Sequence, residues 1–269
     1  GGFYGPQVLS VMDDNLPAAG NVTFVYQQDD AYTGVAAGND HFKLWNLTVD
    51  WAIPGNSVMS AATEFPVSSF NGVFDGGSFS NLSQPNGGPD IDALQALIAN
   101  QPQFRKFGSY NVALFCHVVD VGGGTEQAGI RWYELRQSGD GQPWSIYQEG
   151  TYVAADGRHA WNGSLAMDGQ GNIGIGYTTM GGTTNTMITS AYAGQMLASS
   201  GTGIMDVAED IIITSTSEDP SNRYADYSQI SVDPSDDKGF WFVTEVFTPG
   251  MSNYVGVFQL APNATNDVG

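Results

Sequence analysis

Three of the chain's five arginines each head an apolar run: Arg105 before "YNVALFCHVVD", Arg158 before "SLAMD" and Arg223 before "YSQISVD". A guanidinium presents a planar fork of donors that matches a carboxylate, so three converging at one mouth would clamp an acidic ligand. His159 and Trp161 follow Arg158 closely enough to join such a ligand-binding set. Each arginine can equally cap its own loop by bonding carbonyls or a neighbouring acid, and the sequence leaves both open.

Nucleophilic chemistry has its residue types in Asp226–Tyr227, just after Arg223, and in Tyr133–Glu134 of "RWYEL". Neighbours in a strand point to opposite faces, so Tyr133 and Glu134 cannot activate each other directly. Aromatic packing is the alternative for these tyrosines. His41, His117 and His159 are the three histidines; His117 and Asp120 have the wrong parity to share a strand face, so a zinc site lacks a local ligand set. "DGQGN" and "DPSDDKG" offer Asp168, Asp233 and Asp236 as calcium ligands, or as the acceptors of side-chain-stabilised hairpin turns.

These residues must be positioned mainly by strands. Thirty-five glycines and short alternating apolar runs between Gly, Asn, Asp and Pro describe an all-β chain with many turns. Strands are expected at "NVTFVYQQ", "HFKLWNLTVDW", "YNVALFCHVVDV", "AGIRWYELR", "WSIYQEGTYV", "GSLAMD", "NIGIGYTT", "MITSAYAG", "EDIIITST", "YSQISVD", "GFWFVTEVF" and "YVGVFQL". One short surface helix is expected in "PDIDALQALIANQ", where Asp90 or Asp92 would cap a turn carrying Leu94, Leu97 and Ile98 at helical spacing.

Arg158 precedes Asp168, and Arg223 precedes Asp233, by the same interval, and each aspartate ends an apolar run at a glycine-bearing turn. Arg105 and Asp120 form a looser third copy. Repeats of this kind, each with three or four strands, are the blades of a β-propeller. About four are expected within a single domain over 1–269: residues 20–70, 105–155, 158–215 and 222–262. The last has too few strands to be complete, and the chain starts at Gly1–Gly2, so the reading is part of a larger ring completed by upstream blades or a second chain. The open edge of the last blade is expected to pair with "GPQVLSVM", with upstream sequence or with a partner strand.

The stretches "HFKLWNLTVDWAIPGNS", "HVVDVGGGTEQAGIRWYELR", "WSIYQEGTY", "WNGSLAMDGQGNIGIGY" and "DYSQISVDPSDDKGFWFVTE" together resemble the bacterial sialidase-like, BNR-repeat propeller proteins. The resemblance implies a secreted or surface-displayed propeller with more blades upstream. It implies less about activity: the Ser-x-Asp-x-Gly-x-x-Trp box is only approximated by "SVDPSDDKGFW" and "AMDGQGNIGIGY", and "MITSAYAGQ" carries Ala191 and Gln195 where many relatives have arginines. The expected function is therefore a non-catalytic recognition or assembly module for a glycan or an extracellular protein, needing no cofactor. The alternative is a sialidase-like glycoside hydrolase using Tyr227, Asp226 and Glu134 with the arginines Arg105, Arg158 and Arg223.

The charge narrows the partners. Twenty-eight acids against eight Lys and Arg give −20, a field that repels phosphate backbones and excludes nucleic acid. Cys116 is the sole cysteine and lies in an apolar run, so a buried, inert thiol is expected. No apolar stretch is long enough to span a membrane. Asn-x-Ser/Thr triplets at Asn21, Asn46, Asn81, Asn162 and Asn263 would matter only in a eukaryotic secretory pathway.

Overall fold

A computed structural model describes residues 5–31 and 36–261; Asn263 lies outside them. Its strands group into four mainly antiparallel sheets that follow one another along the chain. The first holds β1 (Gln7–Val8), β3 (Asn21–Gln28), β4 (His41–Thr48), β5 (Val58–Met59) and β6 (Thr63–Pro66). The second is β7 (Gln103–Lys106), β8 (Asn111–Asp120), β9 (Ala128–Gln137) and β10 (Trp144–Tyr152), extended by β2 (Ser10–Val11). The third is β11 (Arg158–Met167), β12 (Ile173–Gly181), β13 (Thr186–Gln195) and β14 (Val207–Thr214). The fourth is β15 (Gln229–Val232), β16 (Phe240–Phe247) and β17 (Met251–Phe258).

Successive sheets pack face to face, as blades must, because each has apolar residues on both faces. Val25, Phe42 and Leu44 of the first meet Phe115 and Tyr133 of the second. Trp132 and Ile130 meet Ala160, Leu165 and Ile175 of the third. Phe240 and Phe242 of the fourth lie on Ala166 and the bare backbone of β12: a Cβ at Gly174 would come within 2.9 Å of Phe240, and one at Gly176 within 2.4 Å of Phe242. The chain is an all-β propeller with four blades in view. Asp168 and Asp233 occupy the same connection, from first to second strand of their sheets. Asp120 instead joins β8 to β9, the second-to-third connection, so the looser third copy fails as an alignment.

Two expectations are corrected. The segment 89–101 is not a helix: Leu94 and Ala96 have φ of 53° and 61°, outside the helical region. Asp92 makes a turn there, its carboxylate accepting the Leu94 amide at 2.9 Å. Tertiary burial overrides the helical spacing. Leu82 and Ile91 pair in a bridge, and with Phe74 and Ala93 they pack on Val118, Ala128, Trp161, Met180 and Phe247. Residues 71–100 thus close one mouth of the ring and then pass between β8 and β11, where Asn100 donates to the Gly163 carbonyl at 2.8 Å.

The second correction concerns "GPQVLSVM". Gln7–Val8 pairs with β3 and Ser10–Val11 runs parallel to β7, so this segment does not cover the fourth sheet. Among the described residues nothing pairs with the outer edge of β17, and the outer face of this sheet exposes Trp241, Val243, Val255 and Val257. No helix among the described residues is long and apolar enough to cross a membrane.

Candidate functional site

The open flank of the fourth sheet carries a cleft of about 310 Å³ at the same end of the ring as the closing segment. Its lining comes from the loop before β15, which supplies Arg223, Asp226 and Tyr227, and from the exposed side of the sheet, which supplies Val243, Glu245 and Asn253. The local sequence explains the loop's shape. Tyr224 is buried against Trp161 and Phe247, and its hydroxyl donates to the Glu245 carbonyl at 2.5 Å. Asn162 donates to the Tyr224 carbonyl at 3.2 Å. With Tyr224 pinned, the following residues turn sharply: Ala225 has φ of 46° and Tyr227 of 73°.

A side chain in the left-handed region costs about 1–2 kcal/mol, and the Ala225 amide recovers part of it by donating to Glu245 Oε2 at 2.6 Å. The result is Tyr227 held with 71% of its surface open to solvent over the cleft. Such strain beside converging polar groups is the kind that persists where a site needs a fixed geometry.

The electrostatics of the cleft are acidic. Arg223 is its cation, and both terminal nitrogens are engaged: Nη1 with Asp92 Oδ2 at 2.8 Å and Nη2 with Asp226. Burial holds the Glu245 carboxyl above its ordinary proton affinity; the Ala225 amide opposes this, while Asp219 and Asp226 reinforce it. Burial likewise raises Asp92, against the pull of the Leu94 amide and Arg223. Among the described residues no carboxylate hydrogen-bonds the Tyr227 hydroxyl, the contact that would activate it as a nucleophile.

Of the residues singled out in the sequence, the structure gathers only Arg223, Asp226 and Tyr227. Arg158 is spent on Glu209, at 2.7 Å, and on the Ala155 carbonyl. Arg105 lies at the opposite end of the sheets, where it donates to the Met167 carbonyl at 2.9 Å and pairs with Asp13 and Asp237. Each arginine is engaged locally with carbonyls or acids. His159 accepts the Ala128 amide at 3.2 Å, and Trp161 is fully buried beneath the closing segment, out of reach of any ligand. Glu134 is fully buried on β9, with its oxygens taken by Arg136 and Gln148, so it serves packing of the second sheet and not a reaction.

The turn aspartates are likewise occupied. Asp168 accepts the Gln170 and Asn172 amides and the Asn172 side chain. Asp233 accepts the Ser235 amide and the Trp241 indole, and Asp236 the Lys238 and Gly239 amides. These are side-chain-stabilised hairpin turns. Sequence reasoning missed Glu245 and Asn253. Strand parity held the signal for the first: Trp241, Val243 and Glu245 alternate with the buried Phe240, Phe242 and Thr244.

No family model and no curated protein matches the chain. Solved structures similar to it include an α-L-arabinanase of Penicillium chrysogenum complexed with arabinobiose, at 9% identity over 95% of this chain and 76% of that one, with a TM-score of 0.41. A GH43 endo-arabinanase from Bacillus licheniformis has 11% identity, 97% and 73% coverage and a TM-score of 0.40. A protein of unknown function from Dyadobacter fermentans has 9% identity, 94% and 78% coverage and a TM-score of 0.40. The likeness to sialidase-like proteins rests on the sequence stretches alone.

Proposed function

We propose that the chain is a non-catalytic glycan-recognition propeller whose ligand lies in the Tyr227 cleft. The observation that carries this is Tyr227 itself, a strained and exposed aromatic ring held over a group of carboxylate and amide side chains. A sugar offers one apolar face and a rim of hydroxyls. The ring supplies a flat partner for the face, and Asp226, Glu245 and Asn253 supply acceptors and donors for the rim. Extracellular placement belongs to the same proposal and is supported by the family resemblance.

The charge of the cleft selects among glycans. Arg223 is neutralised by Asp92 and Asp226, leaving Glu245 uncompensated, so a neutral sugar enters more readily than a sialoside. Glycan retention by immobilised protein, with a neutral oligosaccharide set and sialyllactose in parallel, tests the reading. Neutral glycans are expected to bind, Tyr227→Ala to abolish binding and Tyr227→Phe to preserve most of it. Absence of binding to every neutral glycan sinks it.

One observation favours hydrolysis as a second reading: Glu245 and Asp226 are two acids in unlike environments within one cleft. A sialidase-type mechanism would need Arg105 and Arg158 beside Arg223, and those are engaged elsewhere. Turnover of a glycoside that is lost in Tyr227→Phe would replace recognition by catalysis.

A further inference from the structure

We propose a structural calcium site in the first sheet, formed by Asp29, Asp30, Asp40 and Gln27. β3 and β4 are paired as far as Gln28 and His41, and one more step in that register sets Asp29 opposite Asp40. Asp29 and Asp40 are each 3% exposed, and one carboxylate oxygen from each of Asp29, Asp30 and Asp40 lies within 4.8 Å of the others. Like charges directly across a strand pair are destabilising, and among the described residues no Lys or Arg pairs with these three acids. Their partners are amides and one hydroxyl: Gly72 and Ala31 for Asp29, Gly38 for Asp30, and Asp30, Phe70 and Ser69 for Asp40.

The independent pointer is Gln27. It is 4% exposed and its side-chain nitrogen has no hydrogen-bond partner, an unfavourable state for a buried donor. It lies on the same strand face as Asp29, and both side chains border Gly72: the space a Cβ would take there is 3.0 Å from Asp29 Oδ2 and 3.6 Å from the Gln27 nitrogen. Turning the amide over takes the unpartnered nitrogen away and directs the side-chain carbonyl oxygen to the carboxylates. Amide orientation is set by the surrounding network, and a cation would set it this way. Three carboxylates and an amide carbonyl form an all-oxygen shell for a hard ion. Calcium suits it better than magnesium, which keeps its water and demands a near-ideal octahedron that a buried, irregular site does not offer.

An ion here would fasten the β3–β4 hairpin to residues 69–72. The adjoining Ser68 is already tied to the second sheet through Glu149 and Arg131. The test uses the full chain stripped with chelator, melted with and without CaCl2 and with MgCl2 at equal ionic strength. Calcium is expected to raise the midpoint by about 5 °C at a free concentration one hundred times its dissociation constant. Calorimetric titration should give one site per chain. Gln27→Leu is expected to weaken binding at least tenfold while the stripped protein melts no lower than the parent, because an unpartnered amide has been removed. Asp30→Asn, at a half-buried position, should act in the same direction should Asp29→Asn fail to fold. Equal shifts with magnesium, a full calcium shift in both Gln27→Leu and Asp30→Asn, or no calcium shift in the parent overturns the proposal.

Discussion

The fourth sheet carries the cleft, and it is seated by two glycines whose missing side chains are filled by phenylalanine rings. Gly176→Ala would place a methyl 2.4 Å from Phe242 Cδ2 and 2.5 Å from Cγ, both on a ring that is fully buried and has no open space to retreat into. Overpacking of this kind costs about 1–3 kcal/mol, so about 2 is expected. Phe242→Leu removes ring atoms from the same spot and, as a near-conservative core change, should cost about 1 kcal/mol. In the double variant the new methyl enters the space that the ring has left, so the two costs should fall short of their sum by about 1 kcal/mol or more. At about 2 °C per kcal/mol for a chain of this length, thermal melts should drop by about 4 °C, about 2 °C and, in the double variant, about 4 °C instead of 6 °C. Strict additivity, or a Gly176→Ala protein as stable as the parent, would show that the glycine slot does not seat the sheet.

Arg158→Ala should lower stability by about 3 kcal/mol, since it strands Glu209 in a largely buried pair, yet leave glycan binding intact; Arg223→Ala should weaken binding, and the contrast is read by melting and glycan retention together. Glu245→Gln should raise the melting midpoint at pH 7, because a carboxyl held above its ordinary proton affinity favours the fold below the unfolded value and loses that contribution as pH rises through the folded one. The gain should vanish towards pH 4, while glycan binding at neutral pH falls. Cys116, fully desolvated and held far above an ordinary thiol, should resist a thiol reagent in the native protein and react only as the protein unfolds.

Strand identity was legible because parity and turn chemistry are local. The stretch "NVTFVYQQ" is β3 to the residue, and Asp168 and Asp233 make the same hairpin connection because an aspartate can hold a turn with its own carboxylate. Residues 89–101 were not legible, since their leucines meet helical spacing equally well whether they form a helix or are drawn out under a cap, and the contact of Ile91 and Ala93 with Trp161 and Met180 decides between them. The arginine set failed for a related reason. Heading a strand says nothing about which end of the sheet the strand begins at, and Arg105 and Arg158 lie at opposite ends. The ligands of the proposed calcium site needed the β3–β4 register, which places Asp29 opposite Asp40 across ten intervening positions.

The closing segment also determines where a ligand can be held. A propeller with an open mouth offers its converging loops there, and the sequence reading placed Trp161 and His159 in such a site. Here Phe74, Leu82, Ile91 and Ala93 pack over Trp161 and bury it. What is left open is a sheet face with no neighbour in the described chain. On it, the alternation that buries Phe240 and Phe242 necessarily turns Trp241, Val243 and Glu245 outward. An apolar strip ending in an acid and an exposed tyrosine brings apolar and hydrogen-bonding groups to solvent side by side. On the proposed reading, recognition therefore falls to the flank of the ring.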